Sequence, residues 1–175
     1  MQREIFISVD IEASGPIPGE YSLLSLGACD AYRPAQEFSC LIKPVSMNFD
    51  PEALAVTGLS LERLLVEGLT PEVAMEKFAH WIQVACGGGV PVFVGLNAGF
   101  DWSFVNYYFI RFHDSNPFGF APLDIKAMYM GAKGCSWRDT RSSNMKKVLG
   151  ATSSSAHEAL ADAQFQAELF RLLRG

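Results

Sequence analysis

The chain predicts an α/β fold, with one sheet of mixed strand direction and helices on both faces. Three observations predict it. Strand-like runs come first, joined by connections too short for anything but antiparallel neighbours. Later strand-like runs alternate with helical patterns, as parallel additions to a sheet do. An amphipathic helical period then runs to the C-terminus. The 175 residues, 49% of them hydrophobic and 19% charged, suffice for one core and exclude a disordered or fibrous chain. One domain over residues 1–175 is expected.

The strand-like runs are Glu4 to Ile11, Tyr21 to Tyr32 and Glu37 to Ile42, separated by Gly15-Pro16-Ile17-Pro18-Gly19 and by Arg33-Pro34. Asp50-Pro51 opens a short helix that Gly58 closes, Ser60 caps another turn, and Thr70-Pro71 begins a longer helix to about Ala85. Pro91 to Gly95 reads as a short strand and Ala98 to Phe112 as a helix. Beyond the Asn116-Pro117 turn, a fifth strand is expected near Phe120 to Leu123, then a helix from Asp124 and a basic loop. Ser155-x-x-Glu158 has the form of a capping box, with helical periodicity from Leu160 to Leu173.

The net charge of −5 excludes a basic field over the whole molecule. Between Asp124 and Gly150, however, Lys126, Lys133, Arg138, Arg141, Lys146 and Lys147 face only Asp124 and Asp139, a local balance of +4 that leaves −9 elsewhere. Cys29, Cys40, Cys86 and Cys135 form no C-x-x-C pair and fit reduced thiols in a cytoplasmic protein. The Ile5 to Val9 run is too short for a signal-peptide core. The uncharged stretch from Trp81 to Phe100 is interrupted by glycines, Pro91 and Asn97, so no membrane span is expected.

Four acids stand in unusual places. On the first strand Ile5, Ile7, Val9 and Ile11 share one face, so Phe6, Ser8, Asp10 and Glu12 share the other. Two carboxylates about 6–7 Å apart on one strand face repel unless water or a cation intervenes. Asp101 heads the apolar stripe Phe104, Val105, Tyr108 and Phe112. Asp162 falls between Leu169 and Leu173 on the inward face of the last helix, with small Ala159 and Ala163 beside it.

Each placement also has a plain structural explanation: a strand end entering water, an acid favoured by a helix dipole, or a hydrogen-bonded core carboxylate. Together they suggest one cause. A site gathering Asp10, Glu12, Asp101 and Asp162 suits hard divalent cations, and a pair of Mg²⁺ or Mn²⁺ ions would neutralise it. Such a pair cuts phosphodiesters. His157, in the first turn of the Asp162 helix, has the pKa of a proton acceptor and sits at the mouth of the site. His80 and His113, on polar helix flanks, read as structural or solvent-exposed.

These residues resemble the DnaQ-like, or DEDD, 3′-to-5′ exonuclease superfamily, which includes RNase T and polymerase proofreading subunits. Its D-x-E motif resembles Asp10-Ile11-Glu12, its N-x-x-F-D resembles Asn97-Ala98-Gly99-Phe100-Asp101, and its H-x-A-x-x-D resembles His157-Glu158-Ala159-Leu160-Ala161-Asp162. Val56-Thr57-Gly58-Leu59-Ser60 is similar to the loop before the family's first long helix. His157, five residues before the last Asp, marks the histidine branch, DEDDh.

The resemblance implies a ribonuclease-H-like fold with a mixed five-stranded sheet. It implies two Mg²⁺ or Mn²⁺ ions on Asp10, Glu12, Asp101 and Asp162, with His157 as general base. Nucleoside 5′-monophosphates would leave the 3′ end of single-stranded DNA or RNA. Ala13, Ser14 and Gly15, with Thr57 and Asn97, would lie at the terminal nucleotide, while Lys133, Arg138, Arg141, Lys146 and Lys147 of the basic segment would hold the strand's phosphates, Arg138 and Arg141 foremost. Trp137 would stack a base or pack on the surface.

Leu96 and Thr57 stand where many members have His, and Ser14 where Thr is frequent, departures that bear on substrate preference. Homodimers occur among similar proteins, and the motifs do not separate RNA trimming, DNA end trimming and proofreading beside a polymerase. Two other readings are a catalytically silent binding module on the same fold, whose signature of a lost acid or histidine is absent, and a hydrolase of free nucleotides.

Overall fold

A computed structural model describes residues 2–155 and 157–175 of the chain. The strands are β1 (Glu4–Ala13), β2 (Leu23–Asp30), β3 (Arg33–Leu41), β4 (Val90–Gly95) and β5 (Leu123–Asp124). Between β3 and β4 lie α1 (Pro51–Thr57), α2 (Leu61–Glu67) and α3 (Pro71–Cys86), and α4 (Gly99–Phe112) joins β4 to β5. After β5 come α5 (Ile125–Lys133), a 3₁₀ turn (Trp137–Thr140), α6 (Ser142–Leu149) and α7 (Ala159–Arg174).

The sheet order is β3-β2-β1-β4-β5, with β1, β2 and β3 antiparallel and β4 and β5 added parallel to β1. The mixed five-stranded architecture is the expected one.

The alternation along β1 divides the core. Ile5, Ile7, Val9, Ile11 and Ala13 pack with α3 and α4 residues such as Phe78, Phe104 and Tyr108. Phe6 turns the other way, into a second cluster with Ile125, Met145, Phe165, Leu169 and Phe170 of α5, α6 and α7. Asp10 and Glu12 therefore lie on the face that α7 covers.

Several boundaries differ from the sequence reading. β3 begins at Arg33, because the Asp30 carboxylate takes the Tyr32 and Arg33 N–H groups and tightens the hairpin. β5 is only Leu123–Asp124, and Phe120 is fully exposed instead of starting a strand. The basic stretch is not mainly loop: it holds the 3₁₀ turn and α6, anchored by buried Thr140 and Met145. The Ser155 capping box does not form. Glu158 is itself the N-cap of α7, accepting from Leu160 and Ala161 N–H, so His157 precedes the helix instead of standing in its first turn.

Candidate active site

β1 pairs with β4 only as far as Ser8 opposite Val94 and then runs on. The segment from Val9 to Ala13 thus projects past its parallel neighbour, forming the crevice at carboxyl strand ends where α/β proteins place ligands. Asp10 and Glu12 sit on this overhang. Asp162 meets them from α7, and oxygen atoms of Asp10, Glu12 and Asp162 lie within 4.8 Å of one another.

The approach of α7 depends on small residues. Gly27 lies opposite Asp10 on β2, and a Cβ there would stand 2.2 Å from Leu160 N and 2.4 Å from Ala159 O. Only glycine lets the first turn of α7 rest on the sheet at this point. Ser8, one step down the same face, donates its hydroxyl to Ala163 O at 2.8 Å, and Ala163 is fully buried.

Asp101 reaches the overhang from the opposite layer. Asn97, held at φ 66°, turns the chain out of β4 into α4, and Asp101 is the third residue of that helix. It is 5% exposed and its Oδ1 accepts the Ile11 N–H at 3.1 Å, a donor beyond the reach of β4. Asp101 therefore stands beside the end of β1, on the edge that β4 leaves free, and outside the tight group of three. Asp124 supports the turn, accepting the Ala98 N–H at 2.6 Å and capping α5 through the Ala127 N–H at 2.7 Å.

The electrostatics follow from crowding. Burial pushes the Asp10 carboxyl well above the ordinary range, Asp101, Asp162 and Glu12 push it further, and a hydrogen bond from Gln166 pulls it back. Burial also raises Asp101 to about 7 despite the hydrogen bond from Ile11. Glu12 is raised by burial and by Asp162, and lowered by nearby His157. A compact set of hard oxygen donors that resist shared ionisation fits divalent cations of the Mg²⁺ and Mn²⁺ kind.

The histidine loop is tied to the same helix. Asp162 Oδ2 accepts from the Ser155 hydroxyl at 3.0 Å and from the His157 N–H at 3.2 Å. His157 has φ 54° and an exposed side chain. Further back, the Glu168 carboxylate grips the start of the loop through Thr152 N, Thr152 Oγ1 and Ser153 N, at 2.8, 3.0 and 2.9 Å.

The remaining predicted residues differ in burial and in the bonds they make. Ala13, Ser14 and Gly15 are all buried. The Ser14 hydroxyl donates to Asn48 O and accepts from Ser22 N–H, its N–H donates to Ser22 O, and its carbonyl accepts from Asp50 N–H. Its polar groups thus tie the end of β1 to the strap leading into α1. The Thr57 hydroxyl is likewise spent locally, on Leu54 O and Leu59 N–H. Asn97, Arg138 and Arg141 are exposed, and neither arginine forms an ion pair among the described residues. Lys126 Nζ stands 4.4 Å from the half-exposed Trp137 ring, so that ring packs on the surface under a cation.

Sequence reasoning missed Gln166, Glu168 and the hold of Asp124 on the Ala98 N–H. Gln166 had a visible signal, an uncharged polar residue one helical turn after Asp162 on the buried face. Glu168 gave none, because it lies on the polar side and its partners belong to an irregular loop.

The exonuclease family model of the RNase T type matches residues 7–170. A 3′-5′ DNA exonuclease, Cap18, from Escherichia coli is 56% identical over 172 residues, covering 98% of this chain and 92% of that protein. Among solved structures, the nuclease domain of 3′hExo, a DEDDh family member bound to rAMP, superposes with a TM-score of 0.76 at 15% identity, over 97% of this chain and 92% of that one. E. coli exonuclease I in complex with single-stranded DNA gives 0.75 at 19% identity, over 99% of this chain but only 41% of the larger enzyme. Among the described residues, no helix is long and apolar enough to cross a membrane. The chain belongs to the RNase T exonuclease family and is a 3′-5′ exonuclease.

Proposed function

We propose that residues 1–175 act as one exonuclease domain that removes nucleoside 5′-monophosphates from the 3′ end of single-stranded DNA, using two divalent cations and His157 as general base. The observation that carries this reading is the convergence of Asp10, Glu12 and Asp162 within 4.8 Å, with Asp101 beside the strand end on the Ile11 N–H. The preference for DNA rests on the 56% identical DNA exonuclease.

Asp10, Glu12, Asp101 and Asp162 would hold Mg²⁺ or Mn²⁺. When bound, such ions supply an activated water and steady the leaving oxygen. The acids keep the cation site fixed, since all four come from one strand and two helices and need no rearrangement of the fold. His157 receives the water's proton on a ring nitrogen and, being exposed, returns it to solvent. The segment Ala13 to Gly15 walls the terminal nucleotide, with Ser14 acting through the strap it fixes. Thr57 and Asn97 flank that nucleotide, and Arg138 and Arg141 take phosphates upstream in the strand.

The test uses 5′-labelled single-stranded DNA and RNA oligonucleotides with Mg²⁺ or Mn²⁺. The reading expects stepwise shortening from the 3′ end, DNA ahead of RNA, and a loss of several orders of magnitude in Asp10→Asn. Faster cleavage of RNA overturns the substrate assignment, and undiminished activity in Asp10→Asn overturns the mechanism.

A further inference from the structure

We propose that Gln166 is the positioning residue of the acidic site, its carboxamide fixing the Asp10 carboxylate for cation binding and tying it to the end of β4. The proposal rests on the reading of the acids as a cation site. Gln166 is 3% exposed and takes no part in the chemistry assigned above. Its Oε1 accepts the Leu96 N–H at 2.9 Å, and its Nε2 donates to Asp10 Oδ1.

The orientation of this amide is not free. A backbone N–H can only donate, so the oxygen of Gln166 must face Leu96 and the NH₂ must face Asp10. The amide therefore always presents a donor to the carboxylate, holding Oδ1 in place and leaving Oδ2 to a cation. Gln166 follows Asp162 by four residues, so the helix face that delivers one acid delivers the group that orients another. Leu96 directly precedes Asn97, whose left-handed turn launches α4 and Asp101. One buried side chain thus connects β1, β4 and α7 at the points from which three of the four acids project. The four neighbouring acids give the connection its purpose: without a fixed donor, Asp10 would turn away from the repulsion of the others.

The variants are Gln166→Met, similar in length but without the amide, and Gln166→Asn, which keeps the amide one methylene short. Asp10→Asn serves as the reference. Mn²⁺ binding to the nucleic-acid-free protein is measured by calorimetry, folding by thermal denaturation, and cleavage of a single-stranded DNA oligonucleotide across Mn²⁺ concentrations. Partners of this kind change metal affinity about 10–100-fold. Both Gln166 variants are expected to weaken Mn²⁺ binding and raise half-saturating Mn²⁺ by that factor, with kcat reduced and oligonucleotide KM unchanged. Native Mn²⁺ affinity in a folded Gln166→Met, with Asp10→Asn impaired, overturns the role of Gln166 and leaves the site standing. Native affinity in Asp10→Asn overturns the site itself. Loss of fold in both Gln166 variants also overturns the proposal, making Gln166 a stability residue.

Discussion

Replacing Gly27 by alanine would test how the helix carrying Asp162 is brought to the strand carrying Asp10. The new Cβ would lie 2.2 Å from Leu160 N, 2.3 Å from Ala159 C and 2.4 Å from Ala159 O, where ordinary contacts begin at 3.4 Å. All three neighbours are backbone atoms in the first turn of α7, so no side chain can swing aside. The helix must retreat by more than about 1 Å, and Asp162, in the next residues of the same turn, must retreat with it.

Overpacking of this kind costs about 1–3 kcal/mol of stability. Displacement of a catalytic group by about 1 Å costs about 100-fold in rate. Gly27→Ala should therefore lower Tm by several degrees while retaining the folded state, raise half-saturating Mn²⁺, and reduce kcat by about two orders of magnitude. Thermal denaturation and initial-rate measurements across Mn²⁺ concentrations check both parts. A folded Gly27→Ala with native kcat and native Mn²⁺ dependence would refute the argument that the close approach of α7 sets the site.

Other perturbations separate the remaining parts of the account. Asp10, Glu12 and Asp101 are raised in the fold, Asp101 to about 7, above the value near 4 of an unfolded chain. Between those limits the native state holds more protons, so the stability of the metal-free protein should fall as pH rises from about 4 to about 7. The Tm increase given by Mn²⁺ should accordingly be larger at about pH 7.5 than at about pH 5, and equal increases would count against a shared cation site. Arg138→Ala combined with Arg141→Ala should raise KM on long single strands and lower the salt slope by about 1–2, with kcat retained; an unchanged slope removes these residues from the strand path. Glu168 is partly desolvated, yet hydrogen bonds from Ser153 and Thr152 hold its carboxyl down at about 2. Glu168→Ala should free the His157 loop and cost about tenfold in kcat, about 1.4 kcal/mol, while leaving Mn²⁺ affinity intact.

Much of the fold was legible because its signals are local. Alternation along residues 5–12 assigned the two faces of β1, and Asp50, Ser60 and Thr70 each cap the helix they precede. The four acids were legible for a related reason: each breaks the pattern of its own element, a carboxylate where an apolar residue or open solvent belongs. What the sequence concealed is long-range. Asp101 serves Ile11, ninety residues away, and Gln166 serves Asp10 across 156, partnerships that no helical or strand period encodes. The start of α7 was misplaced because Ser155 and Glu158 fit a capping box by spacing, while the Ser155 hydroxyl is drawn to Asp162 instead. His157 is consequently a loop residue at positive φ ahead of the helix, instead of in its first turn, with its N–H on Asp162.

Anomalous diffraction from crystals soaked in Mn²⁺ is the most direct test of the central claim. The account predicts anomalous density among the carboxylate oxygens of Asp10, Glu12 and Asp162, on the side of β1 that α7 covers, with Asp101 adjoining through the strand end. Mn²⁺ density confined to other parts of the surface, with those oxygens lying apart from any ion, would contradict it.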